Sequence, residues 1–300
     1  MVSAFQPQRA KNEGKDKNVM CRFCRSADTS KKGYRSTMNR GKIQRFTCRN
    51  CGKSFCLDEG FFRMRNNELK ITKAIDLYFS NLSSRKVRNN YRRHEETKIS
   101  HVSVLDWCRK YATKVYRFTE QFKPTLKGRY YADETFVKCE GRNDKFWVCL
   151  DWDSRFITNL HYSYNLDTRN EAIKFLQKIK DKNIPNYIQT DCANFYIHSF
   201  HHVFKNDYVE HRINNVSQTG KHNVRIETVF MKIKDRINDF RGFKATWSAP
   251  ILLAGVVLQH NFIEDHTTTG VLPSYLAGIG LNLGVNRWLG LIKLSSVSVA

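Results

Sequence analysis

Residues 129–138 read RYYADETFVK, an aromatic and β-branched stretch that contains the acidic pair Asp133 and Glu134. Residues of these types favour an extended strand. Two runs of the same character follow, KFWVCLD at 145–151 and another at 156–164, and short turns, GRND and WDSR, join the three runs. The sequence therefore predicts three consecutive strands.

Helices and strands alternate further along the chain. Residues 171–182 carry apolar side chains on one helical face, and residues 187–191 form a short predicted strand that ends in Asp191. A helix at 192–204, a strand at 208–213 and a long helix at 223–240 complete the pattern. The order β-β-β-α-β-α-β-α predicts an α/β domain, a mixed sheet flanked by helices with its site at strand ends.

Three carboxylates in this domain are candidates for catalysis. Asp133 lies within the first strand, Asp191 ends a later one, and Glu227 falls on the long helix. An ionised carboxylate on an apolar element costs free energy unless it is paired or bound to metal. Three that converge at one sheet edge would hold two Mg²⁺ (or Mn²⁺) ions, which activate the attacking oxygen and stabilise the leaving oxygen of a phosphodiester. Lys234, about two helical turns after Glu227, lies on nearly the same face and could contact phosphate.

Other polar residues compete for these roles. Strand alternation points Glu134 to the face opposite Asp133. Asp151 and Asp153 end the second strand and are expected to be turn and cap residues rather than metal ligands, and Asp153, in a turn, is the best substitute ligand if the register differs. Five histidines show no metal-ligand spacing and are expected to be solvated or to face DNA; they are His198, His201, His202, His211 and His222. Trp147, Trp152 and Trp247 are expected in the core rather than as platforms for bases.

The N-terminal region contains two C-x-x-C pairs, Cys21 with Cys24 and Cys48 with Cys51. Two such pairs bring four thiolates into a tetrahedral Zn²⁺ site. The residues between them are rich in Gly, Lys and Arg, as in a solvated hairpin. Cys56 is left outside the site. A ribbon of this size buries little core, so Zn²⁺ would supply most of its folding free energy.

Residues 68–115 show helical periodicity, with a turn at 81–85 that contains a capping serine. A further helix begins near Ser100, with Val104 and Trp107 facing inward. This is the pattern of a helix-turn-helix, whose last helix enters the major groove of DNA. A plain helical linker is the alternative. The candidate DNA-binding residues are Arg85, Lys86, Arg88, His101, Ser103, Arg109 and Lys110.

The charge of the chain indicates its partner, and the character of its N-terminus indicates its compartment. The 300 residues carry 51 Lys and Arg against 28 Asp and Glu, a formal charge of +23, which indicates a polyanion. The polar N-terminus has no apolar signal segment, so a reducing cytoplasm is expected and the nine cysteines are not expected to form a disulfide framework. The uncharged stretch 267–286 contains Pro273 and several glycines, and is expected to form buried helices and turns rather than a membrane span.

The ordered motifs resemble the DDE transposases of prokaryotic insertion sequences. The similar segments are QRFTCRNCGKSF, LYFSNLSSRKVRNNY, SHVSVLDWCRKY, YYADETFVK, QTDCANFY, NVRIETVFMKIKDRI, GFKATWSAPILLAGVVLQHNFIEDH and LPSYLAGI. The resemblance implies a ribonuclease H-like catalytic domain at 128–245, behind a leader at 1–19, a zinc ribbon at 20–60 and a helix-turn-helix at 65–120, with C-terminal helices at 246–300. By the same resemblance, Asp133, Asp191 and Glu227 form the catalytic triad and Lys234 is the basic residue that follows it.

The implied function is transposition. The ribbon and the helix-turn-helix would bind the terminal inverted repeats of the element, and the triad would cleave a strand and join its 3′ end to target DNA. The implied partners are double-stranded DNA and a second copy of the chain, in a homodimer or larger homo-oligomer associated with the nucleoid. Two alternatives remain: a ribonuclease H-like nuclease that does not transpose, and a DNA-binding regulator derived from such an enzyme.

Overall fold

The structure is a computed structural model that describes residues 19–38, 41–57, 59–95, 98–164, 167–214, 231, 233–235, 237–238 and 242–297. The chain divides into two compact units, one ending at Arg65 and the other beginning at Asn66. The first contains the cysteine pairs, and the second contains the predicted helices and the mixed sheet.

The N-terminal unit is a small antiparallel sheet in the order β1-β2-β3. Its strands are β1 (Thr29–Thr37), β2 (Gly41–Cys48) and β3 (Ser54–Cys56). Phe46 and Phe55 stack with ring centroids 5.9 Å apart, and they share their buried cluster with only Cys21 and Cys48. So few apolar side chains offset little of the entropy lost on ordering the unit, so a bound metal would add substantially to its stability.

Three helices open the second unit: α1 (Glu68–Phe79), α2 (Ser84–His94) and α3 (His101–Thr119). Each begins at a side-chain cap. Asn67 accepts a hydrogen bond from the Lys70 N–H, and Ser83 and Ser100 cap α2 and α3 in the same way. These caps satisfy backbone donors that the first turn of a helix leaves without partners, which explains where the helices begin.

A five-stranded sheet follows, in the order β6-β5-β4-β7-β8. The strands are β4 (Arg129–Cys139), β5 (Arg142–Asp151), β6 (Ile157–Ser163), β7 (Tyr187–Asp191) and β8 (Glu210–Asn214). The first three are antiparallel neighbours, whereas β7 and β8 run parallel to β4. This is a mixed sheet, as the sequence pattern predicts.

Two helices cover one face of this sheet, α4 (Thr168–Lys182) and α5 (Asn194–Phe204). Their apolar faces meet the even-numbered side chains of β4, Tyr130 and Ala132, in one buried cluster. Trp147 is fully buried within it, as the sequence predicts. The predicted long helix is described only at 231, 233–235 and 237–238, which are helical, and Ile233 is buried as expected.

The C-terminal elements are α6 (Ala249–Leu258), a π-helical turn (Gln259–Ile263), the short α7 (Pro273–Leu276) and α8 (Arg287–Val297). The helix α6 is apolar on all sides and packs along α3. In the described parts of the chain, no helix is both long enough and apolar enough to cross a bilayer.

Candidate functional site

The parallel pairing of β4 and β7 brings two of the predicted catalytic carboxylates together. Tyr131 on β4 lies level with Gln189 on β7. Asp133 and Asp191 each lie two residues beyond this last paired position, and strand alternation places both side chains on one face of the sheet. Neighbouring strands are about 4.8 Å apart. Burial is the main cause that raises the pKa of Asp133, and the negative charge of Asp191 adds to it, so the two carboxylates are close enough to interact.

Asp133 is half-buried, and its surroundings disfavour a bare negative charge. Burial raises the pKa of its carboxyl to about 7, and the charges of Glu134 and Asp191 add to this effect. The Glu134 N–H donates to Asp133 Oδ1 at 2.9 Å and stabilises the charged form, as does the charge of Lys234. At neutral pH a bound divalent cation would therefore stabilise the charged form of this carboxylate.

Asp191 lies at the carboxyl end of β7, where it is exposed and its Oδ1 accepts a hydrogen bond from the Ala193 N–H at 3.1 Å. The next strand adds Asn214, which pairs with Asp191 in the parallel register. Sequence reasoning missed Asn214, because only the pairing of β8 shows that it is level with Asp191. Glu227 lies outside the described residues, so its place in the triad stays a prediction.

Glu134 belongs to a different environment. Its carboxylate accepts a hydrogen bond from the Tyr196 hydroxyl at 3.0 Å and pairs with Lys145 Nζ at 3.3 Å. Tyr196 is part of α5, on the face of the sheet that α4 and α5 cover. Burial raises the pKa of Glu134, while Lys145 and Tyr196 stabilise its charged form. Glu134 therefore faces away from Asp133, as strand alternation predicts.

Asp151 and Asp153 lie near the start of β4, away from the end of β7 that carries Asp191. Asp151 is fully buried, pairs with Tyr130 across the sheet and accepts hydrogen bonds from the N–H and hydroxyl of Ser154. Asp153 forms an ion pair with Arg129, which lowers the pKa of Asp153. Both act as turn and cap residues, and neither takes part in the Asp133 site.

The described histidines form no metal site. His198, His201 and His202 are exposed on α5. His211 hydrogen bonds through Nε2 to the Thr190 hydroxyl at 2.9 Å and stacks on Phe200. Burial lowers the pKa of His211, so it is neutral at pH 7. His222 lies outside the described residues.

The four cysteines of the two C-x-x-C pairs converge in the N-terminal unit, with all Sγ atoms within 4.8 Å of one another. The Sγ atoms of Cys21 and Cys51 are 3.7 Å apart, and those of Cys24 and Cys48 are 3.5 Å apart. A tetrahedral Zn²⁺ with bonds of about 2.3 Å places its sulfur ligands about 3.8 Å apart. This four-cysteine cluster therefore has the dimensions of a structural zinc site.

The thiols of this cluster also have the electrostatics of a metal site. Burial raises the pKa of Cys21, but hydrogen bonds from the backbone of Cys24 and Phe23 and from neighbouring thiols lower it to about 6. Cys51 has the opposite shift: a backbone hydrogen bond from Lys53 lowers its pKa, whereas burial and the other three cysteines raise it to about 11. Ionisation of Cys21 disfavours ionisation of Cys51, because their negative charges would lie close together. A bound cation would allow all four thiols to ionise.

The predicted DNA-binding residues of α2 lie on an exposed basic surface. Arg85 and Lys86 are exposed, and the half-buried Arg88 donates to Asn89 Oδ1 at 2.9 and 3.1 Å. Sequence reasoning missed the last turn of this helix, where three more basic residues are exposed: Arg92, Arg93 and His94. Their concentration at the helix end was visible in the sequence.

On α3 the predicted DNA-binding residues differ in their exposure and in their contacts. Lys110 is exposed, and His101 and Ser103 are half-buried at the capped start of the helix. Arg109 does not project freely: its Nε donates to the Ser248 hydroxyl at 2.8 Å and its guanidinium lies 4.9 Å from the ring centroid of Trp247. The expectation that Trp247 belongs to the core is wrong, because its side chain is 63% exposed beside Arg109.

Comparison with known proteins identifies the domain that contains these carboxylates. The family model DDE_Tnp_IS240, a DDE domain, matches residues 128–266, which include Asp133, Asp191 and Glu227. No curated protein matches the chain. The chain is similar to the HTLV-2 integrase catalytic core domain in complex with magnesium, with 16% identity and a TM-score of 0.40 over 51% of this chain and 97% of that one. The catalytic core domain of BIV integrase matches with 14% identity and a TM-score of 0.39, over 50% and 93% of the two chains. Residues 128–266 therefore match the family of DDE domains.

Proposed function

We propose that this protein is a metal-dependent DNA transposase that cleaves a strand at the terminal inverted repeats of its own element and joins the 3′ end to target DNA. The observation that carries the proposal is the closeness of Asp133 and Asp191, which follow the paired residues of two neighbouring parallel strands in a DDE domain and interact electrostatically. The raised pKa of Asp133 supports a cation at this position.

Asp133, Asp191 and Glu227 would hold two Mg²⁺ or Mn²⁺ ions. Bound there, such ions activate the attacking oxygen and stabilise the leaving oxygen of the phosphodiester. Lys234, whose charge acts on Asp133, would contact the phosphate beside these carboxylates. Glu134 stays outside the reaction, because Lys145 and Tyr196 hold it on the other face of the sheet.

DNA would be bound by the basic surfaces that precede the catalytic domain in the chain. The exposed Arg85, Lys86 and Lys110 supply charges for phosphate, and Arg92 and Arg93 extend the same surface of α2. Arg88, His101 and Ser103 remain candidates for contacts near the helix starts. Arg109 would contact DNA only by exchanging its bond to Ser248. The four-cysteine ribbon, with Zn²⁺ bound, would contribute a second DNA-binding surface.

The proposed transposition reaction also suggests an oligomeric state and a cellular location. Two element ends are processed together, so we propose a homodimer or larger homo-oligomer, associated with the nucleoid in the cytoplasm. The proposed boundaries are a leader at 1–19, the ribbon at 20–60, the helix-turn-helix at 65–120, the catalytic domain at 128–245 and C-terminal helices at 246–300.

Sequencing the genomic DNA on both sides of the gene supplies the substrate. Terminal inverted repeats bounded by short direct duplications are expected. If they are absent, a repurposed copy becomes the leading account.

The decisive experiment uses Asp191→Asn with that DNA. We expect the variant to lose strand cleavage in Mg²⁺ and to keep end binding, because the amide cannot supply the charge that a divalent ion requires. Asp181→Asn, an exposed carboxylate on α4, is the matched control and keeps both activities. Loss of binding together with cleavage would make Asp191 structural. Wild-type cleavage without joining would favour a nuclease, and binding without cleavage would favour a regulator.

A further inference from the structure

A groove of about 670 Å³ lies within the N-terminal unit, beside the four-cysteine cluster. Residues of β2 and β3 form part of its wall, and the segment after β3 forms another part. Arg22 and Phe23, between the ligands Cys21 and Cys24, also line it. A zinc ion would therefore fix the backbone that presents these two side chains.

The charged side chains that line this groove are all positive. Arg22, Arg35, Arg45 and Arg63 line it, and of the described lining residues none is acidic. Four guanidinium groups around one concave surface repel one another unless an anion lies among them. The groove therefore suits a polyanion rather than a neutral peptide.

Two aromatic rings in the same groove face solvent. Phe23 is 52% exposed and Phe62 is 44% exposed. The Arg22 guanidinium carbon lies 5.8 Å from the Phe23 ring centroid and 5.0 Å from that of Phe62. Lys53 Nζ lies 5.0 Å from the Phe23 ring centroid, and Arg63 Cζ lies 5.3 Å from that of Phe62. Each ring thus combines an accessible surface with adjacent positive charge.

Aromatic rings among cationic side chains are the arrangement by which proteins bind unpaired nucleotides. Bases stack on the rings, and the cations contact the phosphates that link them. Bases in a duplex are stacked on one another, so their faces are closed to such rings. The combination of Phe23 and Phe62 with four arginines therefore distinguishes an unpaired strand from a duplex.

We propose that this groove binds single-stranded DNA, with bases stacked on Phe23 and Phe62 and phosphates held by the surrounding arginines. The choice of DNA rests on the proposed function, because transposition exposes unpaired strands where an element end is cut. The groove is thus assigned to an unpaired strand, and the basic surface of α2 to the duplex.

The test measures DNA binding by the full-length, zinc-loaded protein without Mg²⁺. Fluorescence anisotropy compares a labelled oligothymidine of about 20 nucleotides with a labelled duplex of about the same length. The variant is Phe23→Ala with Phe62→Ala. Its matched control is Tyr34→Ala, which removes an aromatic ring that is 69% exposed on β1 but does not line the groove.

We expect the double variant to bind the single strand at least about fivefold more weakly, since stacking on one base contributes about 1–3 kcal/mol. Its affinity for duplex should change less than about twofold, Tyr34→Ala should match wild type, and Phe23→Tyr should retain binding because it keeps the ring. Salt dependence is measured as the slope of the logarithm of the single-strand binding constant against the logarithm of the salt concentration. Arg35→Gln should reduce this slope by about the amount that corresponds to one phosphate contact. Zinc content of each variant confirms that the ribbon is intact.

Unchanged single-strand affinity in the double variant would overturn the proposal, and so would an equal loss with Tyr34→Ala. A change of oligomeric state in the double variant, measured by mass photometry, would instead assign the groove to a second copy of the chain. Cleavage in Mg²⁺ is assayed separately, so failure of the groove proposal is distinct from failure of the transposase proposal.

Discussion

Replacing Asp133 with Asn should stabilise the protein at pH 8 when no divalent metal is present. Burial and neighbouring carboxylates raise the pKa of Asp133 from 3.8 to about 7. Below pH 3.8 the carboxyl is protonated in both the folded and unfolded states and contributes nothing. As pH rises toward 7, the unfolded state releases its proton first, so stability falls, and above about 7 the loss is complete.

The difference between about 7 and 3.8, at 1.36 kcal/mol per pH unit, corresponds to about 4 kcal/mol. Asp133 is only half-buried, so water reduces this value, and about 2 kcal/mol is a reasonable expectation. For a unit of this size, each kcal/mol raises the unfolding temperature by about 2–4 °C. Asp133→Asn should therefore raise the Tm by roughly 4–8 °C at pH 8.

Differential scanning calorimetry in zinc-containing buffer at pH 4 and pH 8 measures this effect. The gain should nearly vanish at pH 4, and addition of Mg²⁺ at pH 8 should raise the Tm of the wild type but not that of the variant. Asp153→Asn is the control, and it should lower the Tm at pH 8. The ion pair with Arg129 lowers the pKa of Asp153, so the charge of Asp153 stabilises the fold at this pH. An unchanged or lower Tm for Asp133→Asn at pH 8 would refute the account.

Further predictions concern the ribbon, the C-terminal packing and the helix start. Cys48→Ala should abolish binding of the single zinc ion expected per chain, measured by elemental analysis, whereas Cys56→Ser should retain it. Gly255→Ala should destabilise the second unit by about 1–3 kcal/mol in urea titrations, because its Cβ would lie 2.1 Å from the Phe79 ring. Gly280→Ala, with open space around it, should not have this effect. Ser83→Ala should cost about 1 kcal/mol by removing the cap of α2; an unchanged urea midpoint would contradict this.

Local patterns in the sequence predicted most of the catalytic sheet. The strand 187–191 has the predicted bounds, and the strand at 129–138 extends by one residue to Cys139. Asp133 and Asp191 could be placed on strand positions because alternation and strand ends are local properties. The five-stranded order, with β4 between an antiparallel and a parallel neighbour, required the tertiary structure.

The differences from the sequence predictions involve contacts between residues far apart in sequence. The sequence places Trp247 in the core because large aromatic residues are usually buried, and this prediction is wrong, since Trp247 lies at the surface against Arg109. The sequence also leaves Arg109 available to DNA on the outer side of α3, and this stays a prediction, but the Ser248 hydroxyl, just before α6, already accepts its hydrogen bond. Helical periodicity identifies the residues of α3 that lie outside its buried face. It does not show that α6 packs against another face of the same helix.

The same limit explains why Asn214 was missed while Asp191 was found. Asp191 ends the strand YIQTD, which begins with two apolar residues, and a carboxylate at the end of such a strand can be noticed in the sequence. Asn214 ends a strand whose residues are mostly polar, EHRIN, so nothing local distinguishes it. Its place beside Asp191 follows from parallel pairing with β7. A carboxamide oxygen at this position offers a neutral ligand or a hydrogen-bond partner to whatever Asp133 and Asp191 bind. Asn214→Ala should therefore weaken Mg²⁺-dependent stabilisation less than Asp191→Asn does, since it removes no charge from the site.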